Sequence, residues 1–189
     1  MKISKKVLIK YFNYWLPLGI TIILLTGFIY GLNQQNLRQS ANDPQIQIAE
    51  DIADNFSTNG LPTQFPAAQT IDLSKSLSTF LIIYDKNGKE QYSSGELDGK
   101  TPTLPSGIFS NASKKGQITF TWQPKKGVRE AVVLISLKDK AKGYVLVGRS
   151  LREIEKRDTN FLIISIIGGL VTLLVSYCAV YCLNEKKIK

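Results

Sequence analysis

Residues 161–183 read FLIISIIGGLVTLLVSYCAVYCL, an apolar stretch without a single charged residue. About 20 apolar residues are enough for a helix to cross the hydrocarbon core of a bilayer, which is roughly 30 Å thick. The stretch therefore predicts a transmembrane helix, which we place at residues 160–183. It decides the organisation of the chain, because most of the sequence lies before it and must then fold on one side of a membrane.

A second apolar run, YFNYWLPLGITIILLTGFIYGL, occupies residues 11–32 and is also uncharged. Tyr11, Tyr14 and Trp15 lie at one end of it and Tyr30 at the other, which is typical of the two interfaces of a membrane. The run predicts another transmembrane helix at residues 11–32. A cleaved signal peptide is the alternative, but no small-x-small cleavage motif follows the run, which favours an uncleaved anchor.

The distribution of charge predicts the orientation of these two helices. The chain has 24 Lys and Arg against 15 Asp and Glu, a net charge of +9, and most of the excess lies at residues 1–10 and 184–189. Basic flanks face the cytoplasm, so we expect both termini to be cytoplasmic and residues 33–159 to form an extracytoplasmic domain of a two-span cell-membrane protein. Arg152, Lys156 and Arg157 favour the opposite orientation. The expected partner is the lipid bilayer and not nucleic acid, since the middle region has no concentrated basic surface.

Two small motifs lie inside the apolar runs. Gly27 and Gly31 form a GxxxG pattern that can pack two helices closely, for example in a homodimer, although glycine is common in membrane helices in general. Cys178 and Cys182 lie four residues apart, on one face of a helix. They can be read as palmitoylation or metal sites, or as two small apolar side chains, and the second reading is the simpler.

Residues 33–59 predict a helix, because apolar residues recur at spacings of three and four: Ile46, Ala49, Ile52, Ala53 and Phe56. Asn42, Asp43 and Pro44 suit a helix start, so we expect a break or kink there. Residues 33–41 then continue the first membrane helix outward as a stalk. Gly60 and Pro62 end the helical pattern, and residues 61–76 read as a loop or short helix.

The rest of the middle region predicts five strands. They are expected at residues 79–85, 90–94, 117–123, 129–137 and 144–149, with the Asn87-Gly88 pair as a hairpin turn between the first two. A short helix is expected near residues 106–110, and Ser150 with Glu153 suggests a capping box that starts a final helix. The sequence thus predicts an α+β fold, with a long N-terminal helix and a five-stranded antiparallel sheet flanked by two transmembrane helices.

The residues that carry most enzyme chemistry are missing or scattered. The chain has no histidine, which excludes His-based acid–base catalysis and imidazole metal ligands within it. Serine and lysine are plentiful, but no spacing selects a Ser–Lys dyad. Glu50, Asp51 and Asp54 are better read as a solvated helix face than as a calcium site. We therefore expect no enzyme activity, no catalytic residues, no metal and no cofactor.

The hairpin YDKNGK at residues 84–89 and the segment VGRSLREIEKR at residues 147–157 resemble the extracytoplasmic PAS-like, or single Cache, sensor domains of bacterial two-span membrane proteins and sensor histidine kinases. The resemblance covers roughly residues 38–157. It implies a PAS/Cache-like sheet with a small-molecule pocket between one sheet face and residues 95–113. The implied ligand-binding candidates are Tyr84, Trp122, Arg129 and Tyr144. Trp122 can equally be core packing, and Arg129 a solvated charge beside a turn.

The expected function follows from this layout. After the second apolar run only residues 184–189 remain, so we expect no kinase module here. The sequence favours a sensor-like membrane protein that binds a ligand or protein outside the cell and signals through its transmembrane helices to a separate membrane protein. The alternative is a non-sensory assembly or scaffold subunit of a membrane complex. A membrane-tethered enzyme is the least favoured reading.

Overall fold

A five-stranded antiparallel sheet is assembled from segments rich in β-branched and aromatic residues. The computed structural model describes residues 5–62, 70–138 and 141–185. Within them the elements are, in chain order, α1 (Lys5–Ser40), α2 (Asp43–Asn59), β1 (Ile71–Asp72), β2 (Phe80–Asp85), β3 (Glu90–Ser93), β4 (Gly95–Glu96), α3 (Ser106–Lys115), β5 (Gln117–Lys125), β6 (Val128–Ser136), β7 (Gly143–Ser150) and α4 (Arg152–Glu185).

The strand order in the main sheet is β3-β2-β7-β6-β5, with every neighbouring pair antiparallel. The last strand of the sequence, β7, therefore lies in the middle, between β2 and β6. The two-residue strands β1 and β4 form a separate parallel pair. The register places Tyr84 opposite Tyr144 near one end of β7, and Glu130 opposite Ser150 at the other.

Both faces of the sheet are covered, and each has its own hydrophobic core. One face packs against α2, where Ala49 and Ala53 let the helix approach side chains such as Val133 and Val145. The opposite face lies under α3 and the segment that includes Leu73, and it holds the larger side chains. We call these the α2 face and the α3 face. Because strand residues alternate between the two, β6 and β7 are apolar along nearly their whole length.

The break between α1 and α2 falls where the sequence predicts it. The first helix ends at Ser40 and the second begins at Asp43, with Pro44 in its first turn. Asn42 occupies the cap position, but its side chain makes no cap hydrogen bond; it donates instead to the carbonyl of Arg38. Pro44 suits this position because a proline in the first turn of a helix removes no intrahelical hydrogen bond, whereas Pro17 lies in the interior of α1.

The chain divides into two compact units, Arg38–Glu155 and the pair of helical segments formed by α1 up to Leu37 and α4 from Lys156. We call them the sheet unit and the helix-pair unit. Both α1 and α4 are long and apolar enough to cross a membrane, by length and composition, with mean hydropathies of 1.9 and 2.4 over their most apolar windows.

The two segments of the helix-pair unit run antiparallel and touch through aromatic side chains. Tyr11 meets Tyr181 edge to face with ring centroids 5.4 Å apart, and Tyr30 stacks on Phe161 at 6.4 Å. Between these contacts, Trp15 Nε1 donates a 2.8 Å hydrogen bond to Ser176 Oγ. The two apolar runs therefore pack against each other along this unit.

The α+β class, the long N-terminal helix and the five-stranded antiparallel sheet are confirmed, while several local boundaries differ. The strand expected at residues 117–123 is longer, because β5 continues through a bulge to Lys125. The helix expected at 106–110 extends to Lys115. Ser150 is still paired with Glu130 in the sheet, and α4 starts at Arg152, one residue later than the expected capping box implies. The Ser150 hydroxyl nevertheless accepts a 3.4 Å hydrogen bond from the backbone N–H of Arg152 in the first turn of α4. Parts of the expected termini and of the 61–76 loop lie outside the described residues.

Gly148 offers a test of how tightly the α3 face is packed. A Cβ at this position would lie 2.3 Å from the Phe80 ring and 2.7 Å from Val132 Cγ1, whereas one at Gly107 would meet nothing within 4 Å. We expect Gly148→Ala to destabilise the fold by about 1–3 kcal/mol through overpacking. Gly107→Ala should be neutral or mildly stabilising, because alanine is the better helix former. Thermal unfolding of the full chain in detergent, followed by circular dichroism, compares the two; equal melting temperatures would contradict the packing described.

Candidate functional site: the aromatic face under helix α3

Three aromatic rings fill the space between α3 and the sheet. Phe109 on α3 lies between the two tyrosines, with its ring centroid 5.0 Å from that of Tyr84 and 5.0 Å from that of Tyr144. The tyrosines are neighbours because β2 pairs with β7 in this register. Phe109 also contacts the hairpin, since a Cβ on Gly88 would lie 3.0 Å from its ring. The cluster thus ties α3 to two strands and to the β2–β3 turn.

The two tyrosine hydroxyls differ in their hydrogen bonding. Tyr144 Oη lies 2.7 Å from Ser113 Oγ, a bond that fixes the C-terminal part of α3 on the sheet. Tyr84 Oη is buried and has no hydrogen-bond partner in the described part of the chain. Burial, with a smaller effect of Glu90, raises the pKa of Tyr84 well above its ordinary value, so the hydroxyl keeps its proton. It is a buried donor without an acceptor, an arrangement that costs about 1–3 kcal/mol.

Trp122 lies on the same face but at the opposite end of the sheet. Its ring centroid is 6.4 Å from that of Phe80, and its residue is only 6% exposed. In the register, Trp122 is opposite Glu130, which in turn is opposite Ser150. Trp122 therefore takes a core-packing position away from the tyrosine pair.

Arg129 projects away from the core. Its side chain is 47% exposed and forms an ion pair with Glu155 in the first turn of α4. Exposed pairs of this kind contribute little to stability. The structure thus brings together two of the four predicted ligand-binding residues, Tyr84 and Tyr144, and places Trp122 and Arg129 elsewhere.

Phe109 and Ser113 belong to the site but are not singled out by the sequence. The helical pattern indicates a helix near them, yet nothing local shows which of its residues faces the tyrosines. The apolar positions Ile108, Phe109 and Ala112 share one side of α3, and this spacing is the pattern that identifies its buried face. Ser113, one residue further, is found only through its contact with Tyr144.

Two further buried polar residues stand out. Glu130 on β6 is 1% exposed, and its Oε1 has no hydrogen-bond partner among the described residues. Burial raises the pKa of this carboxyl to about 8, an effect that the nearby Arg152 partly offsets. Gln45 at the start of α2 is also 1% exposed, and neither its amide nitrogen nor its amide oxygen has a partner in the residues described. Buried polar groups without partners are uncommon in folded proteins.

An open cleft of about 420 Å³ runs between α3 and the outer strand β5. Its lining is mixed apolar and polar: Ile108, Asn111, Lys115, Gln117, Ile118, Thr119 and Phe120. The cleft follows the one edge of β5 that, in the described residues, carries no neighbouring strand. Such an edge presents unpaired backbone groups to which another strand can bind.

Gly27 and Gly31 face neither a neighbouring side chain nor another backbone. A Cβ at either position would meet nothing within 4 Å, whereas one at Gly169 on α4 would lie 3.4 Å from Thr26. The close approach inside the helix-pair unit therefore uses Gly169 and not the GxxxG motif. Packing of two copies of the chain through Gly27 and Gly31 stays a prediction.

The tyrosine pair allows a matched stability test. Tyr84→Phe removes a buried hydroxyl that has no acceptor, so the melting temperature of the full chain should stay the same or rise. Tyr144→Phe removes the bond to Ser113, so stability should fall by about 1 kcal/mol. Thermal unfolding of both variants beside wild type checks the difference. A large loss of stability in Tyr84→Phe would show that its hydroxyl is in fact hydrogen-bonded.

No protein-family model matches this chain, and no curated protein matches it.

Proposed function

We propose that this chain is a membrane-anchored, sensor-like protein. Its sheet unit is a PAS/Cache-like domain outside the cytoplasm that binds a small ligand or a protein, and the binding state passes through the transmembrane helices to a separate membrane protein. The α+β arrangement supports the resemblance on which this proposal rests: a long helix covers one face of a five-stranded antiparallel sheet, and a short helix covers the other.

One observation carries the proposal. The central strand β7 leads into α4 after a single residue, Leu151, and α4 is one helix from Arg152 to Glu185. Tyr144 of the candidate site belongs to β7, so a change in that strand has a direct covalent route into an apolar helix. A strand paired on both sides transmits displacement better than a flexible linker, because its register is fixed by its two neighbours.

The membrane location is supported by the surface of the helix-pair unit. Large apolar side chains along both helices are exposed to their surroundings, among them Ile23, Leu24, Phe28, Ile164, Leu174 and Val175. A folded protein in water rarely leaves so much contiguous apolar surface uncovered. A bilayer would cover it, with the basic ends of the chain in the cytoplasm.

The orientation can be tested with alkaline phosphatase, which is active only outside the cytoplasm in a bacterial host. We expect a fusion after Lys189 to be inactive, and an insertion in the exposed turn at Lys126 and Gly127 to be active. A fusion of the cytoplasmic reporter β-galactosidase at the same two positions should give the opposite pattern. Active phosphatase at Lys189 would overturn the proposed topology.

The ligand site that the geometry supports best is the space occupied by Phe109. Tyr84 supplies a free buried donor, and Tyr144 with Ser113 can exchange their mutual bond for one to a ligand. Tyr84 and Tyr144 give this space aromatic walls once the Phe109 ring moves out of it. The site therefore suits a small uncharged molecule with a flat apolar body and one hydrogen-bond acceptor.

A thermal-shift screen of small polar and aromatic metabolites against the full chain in nanodiscs tests this site. A ligand that binds the folded state should raise the melting temperature, by an amount that grows with its concentration. The same ligand should lose its effect on Tyr84→Phe, a variant expected to fold at least as stably as wild type. Arg129→Gln, which removes an exposed charge outside the tyrosine pair, serves as the control and should keep the full shift.

The free edge of β5 favours a second candidate, a scaffold subunit that binds a protein. Residues 117–123 of this edge strand contain no charge and no proline, so the two features that usually prevent strand addition occur only at its end, at Pro124 and Lys125. A partner segment that added to β5 could place apolar side chains in the neighbouring cleft.

The scaffold candidate predicts a stable membrane complex that depends on this edge. Thr119→Lys and Thr121→Lys introduce charge at exposed positions of β5, and both should abolish co-purification of a fixed partner. Ser110→Lys, an exposed position on α3, should not. Retention of the partner by both threonine variants would count against binding at β5, and a specific thermal shift from a small molecule would favour the sensor.

A further inference from the structure

The buried carboxyl of Glu130 lies where the sheet ends and α4 begins. Its backbone neighbours in the sheet are Trp122 on β5 and Ser150, the last residue of β7. One residue further, Leu151 N donates a 2.9 Å hydrogen bond to the carbonyl of Arg129. The start of α4 is thus attached to the stretch of β6 that carries Glu130, and any change in the charge of Glu130 acts at this junction.

Arg152, the first residue of α4, lies two residues beyond Ser150, the sheet partner of Glu130, where its positive charge favours the ionised form of that carboxyl. Its guanidinium donates to two main-chain carbonyls, that of Ser74 at 3.3 Å and that of Lys75 at 2.8 Å. Hydrogen bonds from arginine to a carboxylate are roughly twice as strong as those between neutral groups. A charged Glu130 would therefore compete with these two carbonyls for the guanidinium of Arg152.

We propose that Glu130 and Arg152 form a proton-controlled switch at the start of α4. When Glu130 is protonated, Arg152 holds the segment around Ser74 and Lys75. When the proton is lost, the new carboxylate draws Arg152 away from those carbonyls and moves the first turn of α4. Its use for signalling rests on the proposed function, in which α4 carries the output of the domain.

Most of the remaining charges around the junction are already in ion pairs or hydrogen bonds. Among the described residues, three ion pairs lie around it: Glu155 with Arg129, Asp72 with Lys75, and Lys125 with Asp98. Arg149 on β7 donates to the carbonyl of Leu77. Glu153 lies in the first turn of α4. Hydrogen bonds from the side chain and backbone of Ser74 hold the pKa of Asp72 below its ordinary value, so Asp72 stays charged through the range in which Glu130 titrates.

The difference between the folded and unfolded pKa of Glu130 predicts how the stability of the fold depends on pH. The unfolded chain releases the Glu130 proton near the ordinary value of 4.5, whereas the folded chain keeps it up to about pH 8. Between these values the unfolded state binds fewer protons, so stability falls as the pH rises and levels off above the folded pKa. The isosteric variant Glu130→Gln stays neutral throughout, so its melting temperature should fall less over this range than that of wild type.

Trp122 is a suitable local probe of the switch, because it lies opposite Glu130 and is one of only two tryptophans in the chain. In a Trp15→Phe background in nanodiscs, Trp122 emission should show a transition near pH 8, and Glu130→Gln should abolish it. Arg152→Gln should move the midpoint to higher pH, because it removes a cation that favours the carboxylate. Arg149→Gln, whose guanidinium also binds a carbonyl of the same segment, is the matched control and should leave the midpoint unchanged.

Movement of the first turn of α4 is measured separately by double electron–electron resonance between spin labels at Ser78 and Glu153. Cys178 and Cys182 are replaced by serine so that they do not take up the label. The distance distribution should differ between about pH 6 and about pH 9.5, on either side of the transition, and Glu130→Gln should give one distribution at both. An absent Trp122 transition, or an unchanged distance, overturns the switch. Both probes lie inside the sheet unit, so the switch can be verified even if the chain proves to be a scaffold. Failure of every ligand and partner test would instead reject the proposed function and leave this result standing.

Discussion

The pairing of β7 on both sides is the constraint on which the rest of the structure depends. Six of its eight residues are buried, and they alternate between the α2 face and the α3 face. Val145 and Val147 join one core, while Tyr144 and Leu146 join the other. Because β7 also leads into α4, both cores, the tyrosine pair and the helix start are fixed by one strand. A displacement of β7 would disturb all of them together.

The fold could be predicted from the sequence where local patterns are strong. Asn87-Gly88 marks the β2–β3 hairpin, and the apolar spacing from Ile46 to Phe56 marks α2. The errors fall where long-range pairing decides a boundary. Ser150 suits a helix cap in isolation, but the sheet extends to it because Glu130 on β6 is its partner. In the same way β5 passes through Pro124, which an edge strand tolerates at a bulge.

The candidate site was predictable in composition but not in arrangement. Tyr84 and Tyr144 could be proposed from residue type, yet their contact depends on the antiparallel register of β2 and β7. Phe109 closes the site from a helix whose apolar spacing marks a buried face but does not show that this face meets the two tyrosines. Glu130 could not be found at all, because a lone glutamate in a β-strand reads as a solvent-exposed residue. Its burial follows only from the sheet pairing and the cover over the α3 face.

The contacts inside the helix-pair unit limit the motions that α1 and α4 can make against each other. A lengthwise slide of one residue is about 1.5 Å. Because the 2.8 Å bond between Trp15 and Ser176 joins two helices that lie side by side, such a slide would lengthen it only slightly. The Tyr11–Tyr181 contact is close at 5.4 Å, whereas the Tyr30–Phe161 contact is looser at 6.4 Å. Beyond that contact Gln34 on α1 donates a 3.5 Å hydrogen bond to Asp158 on α4, so the two helices are joined at both ends of the unit. A displacement of one helix would therefore be shared by the other.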